Sequence, residues 1–154
     1  MTFRLQIPRA PRNLWRKMLA QVVKDKASFN MGYWHGYTPD GEYEFIEQAS
    51  NKKEVKCSTT HCMAGWVTFL TPDGINFEDK IRRKMDKDLD FLEDLSDYAR
   101  GGDENETALS ALLILERSGW SEHINWKHFT TLTDGEALRL IRKMARLEAE
   151  GKRR

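Results

Sequence analysis

Apolar residues recur every three or four positions in four long stretches of this chain, and that spacing confines it to a mostly helical fold. Leu14, Trp15, Met18, Leu19, Val22 and Val23 follow Asn13, a residue suited to capping, and predict a helix over 14–27. Phe77, Ile81, Met85, Leu89, Leu92 and Tyr98 form one stripe and predict a single helix from about 77 to 99, closed by Gly101-Gly102. Leu109, Leu112, Leu113 and Leu115 predict a helix over 105–118, with Gly119 at its C′ position. Thr133 and Glu136 have the spacing of a capping box ahead of Leu138, Leu140, Ile141, Met144 and Leu147.

A fifth helix is signalled in the run Cys57-Ser-Thr-Thr-His-Cys-Met-Ala-Gly-Trp66. Ser58, Thr59 and Thr60 are candidate caps ahead of an apolar stretch through Leu70, so a helix is expected to start near Thr59 with Cys62 in its first turn. Gly65 inside that stretch disfavours helix by about 1 kcal/mol relative to alanine, which implies a tightly packed neighbour. The helix should stop before Pro72-Asp73-Gly74. Residues 28–57 lack any helical period. Pro39-Asp40-Gly41 marks a turn, and Tyr43, Phe45 and Val55 suggest a small β-hairpin or irregular arm near residues 30–57. The expected fold is mostly α, about five helices and that one small element, in a single domain over 1–154. A chain of this length buries about two-thirds of its unfolded surface.

Two segments together carry a resemblance. Cys57-Ser-Thr-x-x-Cys62-x-Ala64-Gly65-Trp66, preceded by Phe29-Asn-Met31-x-x-Trp34, resembles a pattern in small uncharacterised phage, prophage and actinobacterial proteins. There the run reads C-G-T-x-x-C-x-A-G-(W/H) after an F-(D/N)-M segment. The likeness spans roughly residues 28 to 70, and Ser58 stands where glycine is usual. It implies a mobile-element accessory protein and transfers no catalytic residue.

A formal net charge of +1 hides strong segregation. Residues 1–26 hold seven basic groups against Asp25, and residues 139–154 hold seven against Glu148 and Glu150. Residues 86–106 hold nine carboxylates against Lys87 and Arg100. Such blocks bear on partners rather than on fold. Neither a signal-peptide core at the N-terminus nor an apolar run of membrane-spanning length is visible, so a soluble cytoplasmic protein is expected. In a reducing compartment two cysteines favour thiols or metal ligands over a disulfide.

Four chemistries compete. Cys57 and Cys62 with His123 and His128 supply a donor set of the kind that holds structural zinc, but the separation of the pairs favours reading Cys62 as a small core residue and His128 as a packed or surface imidazole. As a nucleophile, Cys62 would draw a depressed pKa from a helix N-terminus and a base from His61, His35 or His128, yet no accompanying hydrolase pattern is present. Arg139, Arg142, Lys143 and Arg146 form one basic face that could meet phosphates together with the N-terminal arginines, or be simply solvated. The favoured reading uses Asp86, Asp90, Asp94 and Asp97, spaced four, four and three along the long helix, as an acidic edge that occupies a basic surface on a partner. Its rival is neutralisation of that edge by the chain's own basic groups. No catalytic residue, metal or cofactor is assigned. The expected function is non-enzymatic: binding a host protein or protein–nucleic acid complex, in concrete form an anti-CRISPR-like inhibition of a host defence complex, with no membrane partner. Tyr33, Trp34 and Tyr37 are candidate aromatic anchors.

Overall fold

Helix α1, Leu14–Lys24, begins where the carbonyl of Asn13 accepts the N–H of Lys17, and it turns Leu14, Trp15, Met18 and Val22 inward. The computed structural model in which these features are seen describes residues 6–24, 29, 35–37, 59–88, 106–125, 127–130 and 132–151. Among the described residues five further helices follow: α2 (Met63–Leu70), α3 (Gly74–Lys87), α4 (Glu106–Arg117), the single turn α5 (Lys127–Thr130) and α6 (Asp134–Ala149). The architecture is mostly α.

The buried residues form one apolar cluster drawn from every longer helix. At its centre lies α2, buried from Met63 through Thr68 and packed against α1, α3 and α4. A helix apolar on all sides has to be enclosed in this way. Trp15 and Trp120, both fully buried, meet edge to face with ring centroids 6.0 Å apart, and Trp66 meets Phe69 in the same manner at 5.8 Å.

The small β element is present with a different partnering from the one the arm alone suggests. Strand β1, His35–Tyr37, lies in the arm, but its antiparallel partner β2 is Thr59–His61, with His35 opposite His61 and Tyr37 opposite Thr59. Thr59 and Thr60 are therefore strand residues, which β-branched side chains favour, and the expected helix start near Thr59 moves to Met63. The turn expected at Pro39-Asp40-Gly41, and Tyr43, Phe45 and Val55, fall outside the described residues.

The helix expected over 77–99 is also corrected. It starts earlier, at Gly74, and ends at Lys87, with Asp88 extended at φ −129° and ψ 103° while its N–H still bonds the Lys84 carbonyl. Carboxylates disfavour a helix C-terminus, where the macrodipole is negative, and Asp86 and Asp88 crowd that end. At its start, Gly74 seats against α2: a Cβ there would lie 2.0 Å from the Thr68 carbonyl oxygen. Asp73 supplies the turn in the left-handed region at φ 63°, a conformation aspartate tolerates.

Two ends match their sequence signals. Gly119 has φ 88°, its N–H bonds the Glu116 carbonyl, and the N–H of Trp120 reaches Leu115, which is a Schellman closure of α4. Thr133 and Glu136 make both hydrogen bonds of the capping box before α6.

Two buried carboxylates hold the helices in place. Glu148, on the buried face of α6, accepts the N–H groups of Trp15 and Arg16 at 3.1 Å each, so it caps α1 from the other end of the chain. In α3, Glu78 accepts the hydroxyl of Thr107 at the start of α4. The N-terminal segment is pinned at Ser118, whose Oγ accepts the Ala10 N–H at 2.9 Å and donates to the Ile114 carbonyl at 2.7 Å.

Candidate functional site

Asp86 lies exposed in the last turn of α3. Asp79 accepts from both Arg82 and Arg83, three and four positions ahead of it. Asp86 lies four and three positions beyond those same arginines, within helical reach of either. Both turn back instead. An acid placed N-terminal to its base at this spacing is the better-oriented pair, and it also suits the helix dipole. Asp86 is thereby left exposed, with no ion pair among the described residues.

Of the four aspartates of the expected acidic edge, Asp86 alone lies among the described residues, in the last turn of α3. Asp90, Asp94 and Asp97 lie outside the described residues, as do Tyr33 and Trp34. Tyr37 contributes its backbone to β1.

Cys62 does different work from the nucleophile its position at a helix start suggests. It is the N-cap of α2, in extended backbone, and its Sγ accepts the N–H of Gly65 at 3.3 Å. Full burial pushes its thiol up to about 12, the opposite direction from helix-dipole activation, with the nearby Glu78 carboxylate adding to the effect. Desolvating a thiolate outweighs the help of the helix N-terminus. Gly65 is buried as its internal position in α2 implies; its carbonyl takes the hydroxyl of Thr68 at 2.9 Å.

The imidazoles are likewise engaged. His128 uses Nδ1 to accept the Asn125 N–H at 3.0 Å, and desolvation, then the charge of Lys143, holds it below the usual imidazole range. His123 lies tilted on Trp120, ring centroids 5.9 Å apart. Among the described residues no group of three or more His, Cys, Asp or Glu side chains is arranged to hold a metal ion. Cys57 lies outside them.

Helices α1 and α6 pack together, so Arg16, Lys17 and Lys24 of one share a two-helix unit with Arg139, Arg142, Lys143 and Arg146 of the other. Arg139, Arg142, Lys143 and Arg146 are all exposed on α6, with no ion pair among the described residues, while Arg16 of α1 is bound to Glu148 at 3.0 Å. Sequence reading passed over Glu148 and Glu78. Both sit on apolar helical faces, Glu148 four positions past Met144 and Glu78 three before Ile81, and a carboxylate in such a place signals a buried structural partner. Among the described residues, no helix is long and apolar enough to cross a membrane.

No family model, no curated protein and no solved structure matches this chain.

Proposed function

We propose that this chain is a non-catalytic accessory protein that binds a host protein or protein–nucleic acid complex, with the acidic segment beginning at Asp86 set against a basic surface of the partner. The single observation carrying this reading is that Arg82 and Arg83 both pair with Asp79, leaving Asp86 exposed and without an ion pair among the described residues. Segment 86–106 holds a large carboxylate excess, and such fields accelerate encounter with an oppositely charged partner. In its concrete form the proposal is inhibition of a host defence complex, suggested by the motif resemblance of residues 28–70 to phage and prophage proteins. Affinity capture from host lysate tests it: the wild-type chain retains a partner that the Asp86→Lys, Asp90→Lys, Asp94→Lys, Asp97→Lys variant loses. Equal recovery by both chains rejects the acidic segment as the contact.

A second reading rests on α6, whose four exposed cations form a face suited to phosphate contacts. Under it, duplex DNA or RNA binds with a steep salt dependence that Arg139→Gln and Arg142→Gln flatten.

A further inference from the structure

A cavity of about 700 Å³ opens between the N-terminal segment at Gln6, Ile7 and Pro8, the first turns of α3 and the end of α4. That volume lies within the roughly 300–1,000 Å³ of small-molecule sites. Lys80 and Arg83 of α3 line it from one side and Arg117, the last residue of α4, from another. Two aspartates also line it: Asp79, paired with Arg82 and Arg83, and the exposed Asp73, whose Oδ1 accepts the side-chain amide of Asn76 at 3.3 Å, so the three lining cations exceed the two carboxylates. Lys80 and Arg117 have no ion pair or hydrogen bond among the described residues. Arg117 complements the dipole of α4, an ordinary role for a cation at a helix end. Lys80 lies in the middle of α3, where no such role exists. Two uncommitted cations from different helices therefore share one cavity that also exposes the apolar surfaces of Ile7 and Pro8.

We propose that this cavity binds a phosphate-bearing small molecule, its phosphate held between Lys80 and Arg117 and its less polar portion set against Ile7 and Pro8. Guanidinium and ammonium groups hold phosphate by charge-assisted hydrogen bonds, the stronger class. The site is distinct from Asp86 at the end of α3, which does not line the cavity. Calorimetric titration of the full chain tests the assignment with inorganic pyrophosphate, and with adenosine as the uncharged probe. Pyrophosphate binds saturably and adenosine does not; Lys80→Gln and Arg117→Gln each weaken binding by roughly tenfold, with a cooperative thermal melt retained. Arg139→Gln with Arg142→Gln, on the separate basic face, leaves it intact. AMP binding more tightly than pyrophosphate identifies a nucleotide as the source of the phosphate, and ribose 5-phosphate doing so identifies a sugar phosphate. No saturable pyrophosphate binding at millimolar concentration, or equal weakening by the α6 substitutions, overturns the proposal.

Discussion

The carboxylate of Glu148 accepts the backbone N–H of Trp15 at 3.1 Å across 133 positions of sequence. Together with its bond to the Arg16 N–H, it satisfies two of the donors that a helix start leaves open. Glu148→Ala leaves both unpaired beside the core and is expected to destabilise the chain by about 2–4 kcal/mol. Arg16→Ala removes only the ion pair, whose arginine side chain is 52% exposed, and should cost at most about 1 kcal/mol. Urea unfolding of the two variants separates the cap from the salt bridge.

The buried thiol of Cys62 makes stability fall at alkaline pH. Its folded pKa is raised to about 12 from an ordinary value of 9.0, so above pH 9 the unfolded chain releases a proton that the folded chain keeps. This stabilising contribution is complete below pH 9 and is lost as pH rises toward 12, at up to about 1.4 kcal/mol per pH unit. Cys62→Ser should flatten the unfolding free energy across that window relative to wild type. In the folded protein the Cys62 thiol should resist a disulfide reagent that labels it on unfolding.

Gly74 and Gly135 should respond to alanine in opposite directions. At Gly74 the new Cβ would meet the backbone oxygen of Thr68 at 2.0 Å, which the helices can relieve only by shifting, at a cost of about 2 kcal/mol or more. At Gly135, in the first turn of α6, nothing lies within 4 Å, and alanine should stabilise by up to about 1 kcal/mol through helix propensity. Thermal melts of the two variants decide it.

His128 is held below its usual range first by desolvation and then by Lys143. Lys143→Gln should therefore raise its pKa without restoring the ordinary value, which an NMR titration of the imidazole reads directly. The sign for folding follows: this contribution is present above pH 6.5 and diminishes as pH falls, because the unfolded chain takes up its proton first.

The helical period made α1, α4 and α6 legible, and local chemistry gave their ends where one residue suffices: Gly119 for the Schellman turn, Thr133 with Glu136 for the capping box. The stripe continued through Leu89 and Leu92 with no apolar break, so the end of α3 at Lys87 was invisible to a pattern that counts apolar residues and ignores carboxylates at a negative helix terminus. Around Cys62, strand pairing of Thr59–His61 with His35–Tyr37 moved the helix start, and a partner so distant in sequence leaves no local trace. Burial then decided between the two readings of Cys62, for the small core residue and against the activated thiol. As for the acidic edge, spacing located Asp86 correctly on α3 but could not show which way Arg82 and Arg83 would turn.

The affinity of the captured partner, measured against salt for the wild-type chain and for Asp86→Lys combined with Asp90→Lys and Asp94→Lys, decides whether the acidic segment is the contact. Wild-type affinity should fall steeply as salt rises, and the charge-reversed chain should bind at least roughly tenfold more weakly at low salt. Unchanged affinity of the reversed chain at low salt would contradict the claim.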